Sequence, residues 1–217
     1  MKKVISLFLV SLFLMTSAWS AVTKSTAAVD EWAEVAQNAV REGATTDVSG
    51  AYDAMLHISV ALSTETAHTG SKIEVQISSN TSGDEDWTTL VSFIGPTGTA
   101  NTEAPSGSEA AGQTVIEVAS TTGYVADETR WIFMEDDTVA NSEMMLLVSA
   151  VTNTSVTVQD GTTNAHDGSD AMFNIADTYT VELPTSANRV RIIYDNTFDV
   201  DGSTIHTLAR VSTITGI

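Results

Sequence analysis

The stretch Asp195-Asn196-Thr197-Phe198-Asp199-Val200-Asp201-Gly202-Ser203 is the nearest thing to a written site in this sequence. Hard oxygen donors at Asp195, Asn196, Asp199 and Asp201, with Gly202 permitting a sharp turn, are what Ca²⁺ coordination uses. No Glu closes the loop in the EF-hand manner. The same residues also spell an ordinary hairpin loop, whose Asp and Asn side chains hydrogen-bond their own backbone. Two other acidic groups, Asp84-Glu85-Asp86 and Glu135-Asp136-Asp137, fall in expected turns. They read first as solvated surface and second as cation sites. Ca²⁺ is the one cofactor the residues suggest.

Trp87 follows an acidic turn and Trp131 opens an apolar run. An exposed Trp on a β-sheet can stack on sugar rings, so both are candidate ligand-binding residues for surface glycans. The competing reading for each is core packing, to which large indoles contribute heavily. Of the four His, His57 and His206 fall on expected strands, and His68 and His166 near turns. None has a second His at i+2 or i+4, so no local metal pair is written. His166, between Asn164 and Asp167-Gly168, reads as a residue that orders its loop by hydrogen bonding. There is no Cys, no Gly-x-Ser-x-Gly elbow and no Gly-rich phosphate loop. Paired carboxylates that meet only in space stay open. The expectation is a protein that is not an enzyme.

The elements that must carry these residues are strands. Leu56, Ile58, Val60 and Leu62 alternate with Met55, His57, Ser59 and Ala61, and Ile73, Val75 and Ile77 with polar neighbours. Trp87–Ile94, Thr178–Leu183, Arg189–Tyr194 and Thr204–Val211 follow suit, separated by turn-forming Asn, Gly, Pro and Asp. Shorter runs, Thr114–Val118, Trp131–Met134, Met144–Val148, Ser155–Val158 and Met172–Ile175, occupy the middle. Val29–Arg41 is ambiguous: Val29, Trp32, Val35, Ala36, Ala39 and Val40 fit a helical face, yet the same residues supply a first strand, which is preferred. The expected class is all-β, an antiparallel β-sandwich of jelly-roll-like type with an inserted small β-barrel-like module. Residues 21–95 and 176–217 form the discontinuous sandwich, 96–112 a Gly/Thr/Ser-rich linker, and 113–175 the insert.

Residues 1–20 have the layout of a signal peptide. Lys2 and Lys3 precede an apolar run from Val4 to Met15, and small residues at Ala18 and Ser20 suit cleavage before Ala21. The run is too short to span a bilayer, which takes about 20 residues. The expected location is therefore secreted or cell-surface. Nine Lys and Arg stand against 28 Asp and Glu in 217 residues, a net charge of −19. Loss of the two leading lysines makes it −21. With no basic cluster, nucleic acid is not an expected partner. The 32 Thr and 42% hydrophobic content suit a β-rich core rather than a disordered chain.

Val125-Ala126-Asp127 before Trp131-Ile132-Phe133, Glu143, Thr154–Val158 and Asn164-Ala165-His166-Asp167-Gly168 resemble a β-module of phage structural proteins and secreted bacterial surface proteins. Thr66–Gly70, Val75–Asn80, Asp86-Trp87 and Arg189–Asn196 are similar to β-sandwich proteins of phage and environmental bacterial type. The resemblance implies a structural role and carries no activity. A signal peptide departs from ordinary virion proteins and favours an exported relative. The expected function is a non-catalytic exported structural or interaction protein that self-associates into a homo-oligomer or filament. The alternatives are a calcium-dependent carbohydrate-binding module and a phage-particle surface protein.

Overall fold

A computed structural model describes residues 23–83, 86–125, 131–151, 154–199 and 201–215. The signal-peptide stretch lies outside them. The described residues form two antiparallel sheets. The strands in chain order are β1 (Thr23–Val35), β2 (Val40–Glu42), β3 (Thr46–Asp47), β4 (Asp53–Leu62), β5 (Lys72–Ser78), β6 (Thr88–Ile94) and β7 (Thr102–Glu103). Then come β8 (Val115–Glu117), β9 (Trp131–Glu135), β10 (Glu143–Val151), β11 (Ser155–Val158), β12 (Ala171–Leu183), β13 (Arg189–Asp195) and β14 (Ile205–Thr215). One sheet runs β1-β14-β4-β12-β9-β10-β11-β8, with β7 also on β12; the other runs β2-β13-β5-β6, with β3 on β13. Among the described residues no helix is long and apolar enough to cross a membrane.

Period-two alternation builds the sandwich. Leu56, Ile58 and Val60 of β4 are fully buried and face Ile73 and Val75 of β5 and Val190, Ile192 and Tyr194 of β13. Each such side chain removed from water contributes about 1.5–3 kcal/mol. Met55, His57 and Ser59 point the other way, onto the outer face of the long sheet.

The ambiguous stretch is strand to Val35, turns at Gln37-Asn38, and resumes at β2. Its helix-like spacing has a cause: across register breaks between Ala28 and Asp30 and between Asp30 and Ala33, Val29, Trp32 and Val35, three apart, are all buried. Val35 lies opposite Ile205 toward the core, and Trp32 lies on the outer face beside Phe133. Asn38 takes φ 58°, a left-handed turn conformation that Asn tolerates better than most residues.

In the middle of the chain, β8 to β11 and the first half of β12 enclose a second core of Ile116, Ile132, Met134, Leu147, Val156 and Met172. β9 serves both cores, because Phe133 alternates with Ile132 and Met134 and reaches Trp32 instead. Alternation alone gives two runs, Met172–Ile175 and Thr178–Leu183; the structure has one strand, β12, carried across a register shift between Phe173 and Ala176. The Gly/Thr/Ser-rich stretch is stitched down by β7 and by bridges His68–Gly98, Pro105–Val118 and Glu109–His166.

Candidate functional site

A groove of about 440 Å³ opens on the outer face of the long sheet. Its floor follows from register: Ser59 of β4 is paired with Thr178 of β12 and Leu208 of β14, and all three alternate with core positions. Trp131, at the start of β9, lies across from Ala176 and forms one side, half-buried. Trp32 and Glu31 of β1 form another, and Arg210 of β14 places a guanidinium in the lining. The far wall is Ser142, Glu143, Thr163 and Asn164. Two indoles, two carboxylates, a guanidinium and several hydroxyl and amide groups therefore share one concavity, the composition of a small-ligand site.

Behind that wall sits a buried imidazole. His166 Nε2 is 2.6 Å from Glu143 Oε1, and Nδ1 is 3.1 Å from Asp170 Oδ2 and 3.7 Å from Asp136 Oδ2. Glu143 also accepts the backbone N–H groups of Thr163 (2.7 Å) and Asn164 (3.3 Å), and so fixes the loop that faces the groove. Burial opposes charging of His166, but the hydrogen bonds and charges of Glu143 and Asp170 together outweigh it and raise its pKa. Burial likewise pushes Glu143 up, and its bonds to His166, Thr163 and Asn164 win, leaving it lowered. His166 orders its loop, and three carboxylates do the ordering with it. The local signal for this was His166-x-x-x-Asp170; Asp136 and Glu143 come from other turns and strands.

In the expected calcium loop, Asn196 and Asp199 bond the fold itself. Asn196 is buried and donates from Nδ2 to the carbonyls of Val35 (3.2 Å) and Ser203 (3.0 Å). The Asp199 carboxylate, also buried, accepts the Ser203 N–H (2.8 Å), the Ser203 hydroxyl (2.7 Å) and the Thr69 N–H (3.2 Å). Burial works against its charge, yet those bonds hold it well below the usual carboxylate range. Asp195 accepts from Thr197 at the loop's start, and Asp201 is exposed. Two of the four expected donors thus turn inward and two outward. Among the described residues, the His, Asp and Glu groups close enough to share an ion are Asp136, His166 and Asp170.

The same loop creates a Ser-His-Asp lookalike. His68 Nδ1 hydrogen-bonds Ser203 Oγ and lies 3.4 Å from Asp199 Oδ1. Both contacts use the same ring nitrogen, and Nε2 is buried without a partner. A hydrolytic triad needs the nucleophile on one ring nitrogen and the carboxylate on the other. Burial lowers the His68 pKa against the pull of Asp199 and so favours the neutral ring. Ser203 has no exposed surface. The trio pins the 196–203 loop to the 68–69 turn.

Trp87 is half-buried beside two guanidiniums, those of Arg189 at 4.9 Å and Arg191 at 4.3 Å from its ring centre. Two guanidiniums stack near its ring, whereas Trp131 borders the groove. His57 is exposed on the sheet, 3.5 Å from Thr180 Oγ1.

The fold and these sites define an all-β sandwich protein with a mixed aromatic and polar groove. No family model and no curated protein matches the chain in sequence. Among solved structures it is similar to VP17, a capsid protein of bacteriophage P23-77, at 10% identity and TM-score 0.20, over 91% of this chain and 99% of that one. The VP16-VP17 complex of the two major capsid proteins of that phage matches at 10% identity and TM-score 0.20, over 88% and 99%. A structure of infectious bursal disease virus, Gx strain, matches at 11% identity and TM-score 0.22, over 92% of this chain and 42% of that one.

Proposed function

We propose that the chain is a non-catalytic structural subunit, exported and assembling with copies of itself by strand addition at the edge that β1 forms among the described strands. The observation that supports this is the character of that edge. Lys24–Ala28 are five consecutive extended residues, all exposed, whose strand partner among the described residues is β14, and they carry a single charge at Lys24. Proteins generally protect such edges with charges, bulges or inward-pointing acids. Here the bulges and Asp30 protect only the second half of β1, and the first half stays flat and sparsely charged. An added strand would gain main-chain hydrogen bonds there. The test is light scattering after size exclusion, with negative-stain microscopy, in millimolar calcium and in chelator. The protein is expected to form oligomers or filaments, and Ala27→Lys to dissolve them. A strict monomer at every concentration in both buffers would overturn the proposal.

A second reading, binding of a neutral glycan, is supported by the groove in which Trp131 and Trp32 meet Ser59, Thr178 and Asn164. An apolar ring face against indole and hydroxyls against polar side chains is the chemistry of sugar recognition. Glycan-array binding lost in Trp131→Ala and kept in Trp87→Ala would support it; a silent array would remove it.

A further inference from the structure

We infer that Asp136, His166 and Asp170 form a site for one zinc-type divalent ion. The ligand atoms are His166 Nδ1, Asp170 Oδ2 and Asp136 Oδ2, all within 4.8 Å of one another. Zinc bonds nitrogen and carboxylate oxygen at about 2.0–2.2 Å, so tetrahedral ligands sit roughly 3.3 Å apart. The separations from Nδ1, 3.1 Å and 3.7 Å, bracket that figure.

The surroundings are those of a ligating His rather than of a plain ion pair. A metal-bound imidazole characteristically gives its other N–H to a carboxylate, which fixes the tautomer and turns the free lone pair toward the ion. Glu143 holds Nε2 in that way at 2.6 Å. The two aspartates are also pre-aimed. Asp136 Oδ1 accepts the Thr138 N–H (2.6 Å), which leaves Oδ2 directed at the imidazole. Asp170 Oδ1 accepts the Asp137 N–H weakly (3.4 Å), and Oδ2, the proposed ligand atom, accepts the Asp167 N–H (2.9 Å) with one lone pair and keeps the other for the ion.

Charge argues in the same direction. Asp136, Glu143 and Asp170 bring three negative charges to one imidazole, and Asp137 and Asp167 stand at the rim. Among the described residues no Lys or Arg forms an ion pair with this corner. A divalent ion among them would neutralise two of the three charges. His166 and Asp170 are more than nine-tenths buried while Asp136 is partly open, which leaves a fourth position facing solvent for water and a route of entry. An imidazole with two carboxylates suits zinc and its first-row neighbours; calcium and magnesium prefer all-oxygen sets. The ion would tie the 136–138 turn to the 166–170 turn and so brace the wall of the groove that Glu143 and Asn164 present.

The test is zinc binding to the chelator-stripped, purified protein, followed by calorimetry in two buffers of different ionisation heat and by Co²⁺ absorption. One equivalent is expected, with release of up to about one proton per ion as His166 gives up its proton, and with the intense visible bands of tetrahedral cobalt. The melting temperature should rise by roughly 5 °C or more at zinc a hundredfold above Kd. Asp136→Asn removes a ligand at the partly open side and leaves the buried His–Glu pair, so it should fold as the parent does by circular dichroism. It should weaken zinc at least about tenfold, whereas Asp195→Asn should leave binding unchanged. No uptake at micromolar zinc, or uptake of equal strength in Asp136→Asn, would overturn the site.

Discussion

His206 offers the sharpest quantitative test of the core. It sits on β14 with 1% of its surface exposed, its ring 5.2 Å from that of Phe133, and neither ring nitrogen has a hydrogen-bond partner. The charged groups that face it are Glu135, with Oε1 3.4 Å from Nε2 but not in hydrogen-bonding geometry, and Glu34, its register partner on β1. Burial pushes the His206 pKa down from 6.5 to about 4. The unfolded chain therefore takes up this proton first as pH falls, and folding loses stability from about pH 6.5 down to about pH 4, below which both states are protonated. At about 1.4 kcal/mol per pKa unit the loss is roughly 3 kcal/mol. The perturbation is His206→Gln, which keeps a polar side chain of similar reach and cannot take up a proton. Urea unfolding of both proteins at intervals from pH 7 to pH 4 gives two stability curves, and their difference isolates His206 because every other group titrates in both. The gap between the curves should shift by roughly 3 kcal/mol in favour of the variant as pH falls. Parallel curves would refute the reasoning, and would mean that Glu135 closes on the imidazolium and cancels the desolvation.

Because β12 belongs to both cores, the protein should unfold in one transition, and Leu147→Ala in the second core should lower that single transition by about 2–5 kcal/mol; two separated melting steps by calorimetry would contradict this. A Cβ added to Gly161 would lie 2.5 Å from the Gly112 carbonyl oxygen, so Gly161→Ala must displace backbone and should cost roughly 1–3 kcal/mol in urea melts, against little change for Gly107→Ala, which meets open space. Replacing Asn38, at φ 58°, by Gly should leave stability unchanged or slightly higher, while Asn38→Val should lower it by about 1 kcal/mol or more in the same assay.

Strand existence and face were legible in the sequence wherever one sheet face is buried and the other wet. β4 is the plainest case: a two-residue period needs only that Leu56, Ile58 and Val60 meet apolar neighbours, whichever they are. The reading failed to be unique where register breaks. Bulges in β1 turn a strand into an apparent helical face, and the shift within β12 makes one strand look like two. The bend after β9 at Asp136-Asp137 was legible too, since Asp stabilises turns by bonds to neighbouring backbone, while Asp84 and Glu85 of the other acidic group lie outside the described residues.

What tertiary structure alone decided is which acids act together. Asp195 to Asp201 are neighbours in sequence, yet the fold turns Asn196 and Asp199 inward to satisfy buried N–H groups and carbonyls, because an unpaired buried polar group costs more than a lost surface ligand returns. Asp136, Glu143, His166 and Asp170 look unrelated along the chain, and only the pairing of β9 with β10 and β12 gathers them around one imidazole. Trp131 and Trp87 are equivalent by composition. Their difference lies in what crosses over them: two arginines of β13 beside Trp87, and an open groove beside Trp131. The sequence by itself determined an acidic, cysteine-free β scaffold, because alternation and turn chemistry are local. Its sites are long-range products of register, which no local pattern encodes.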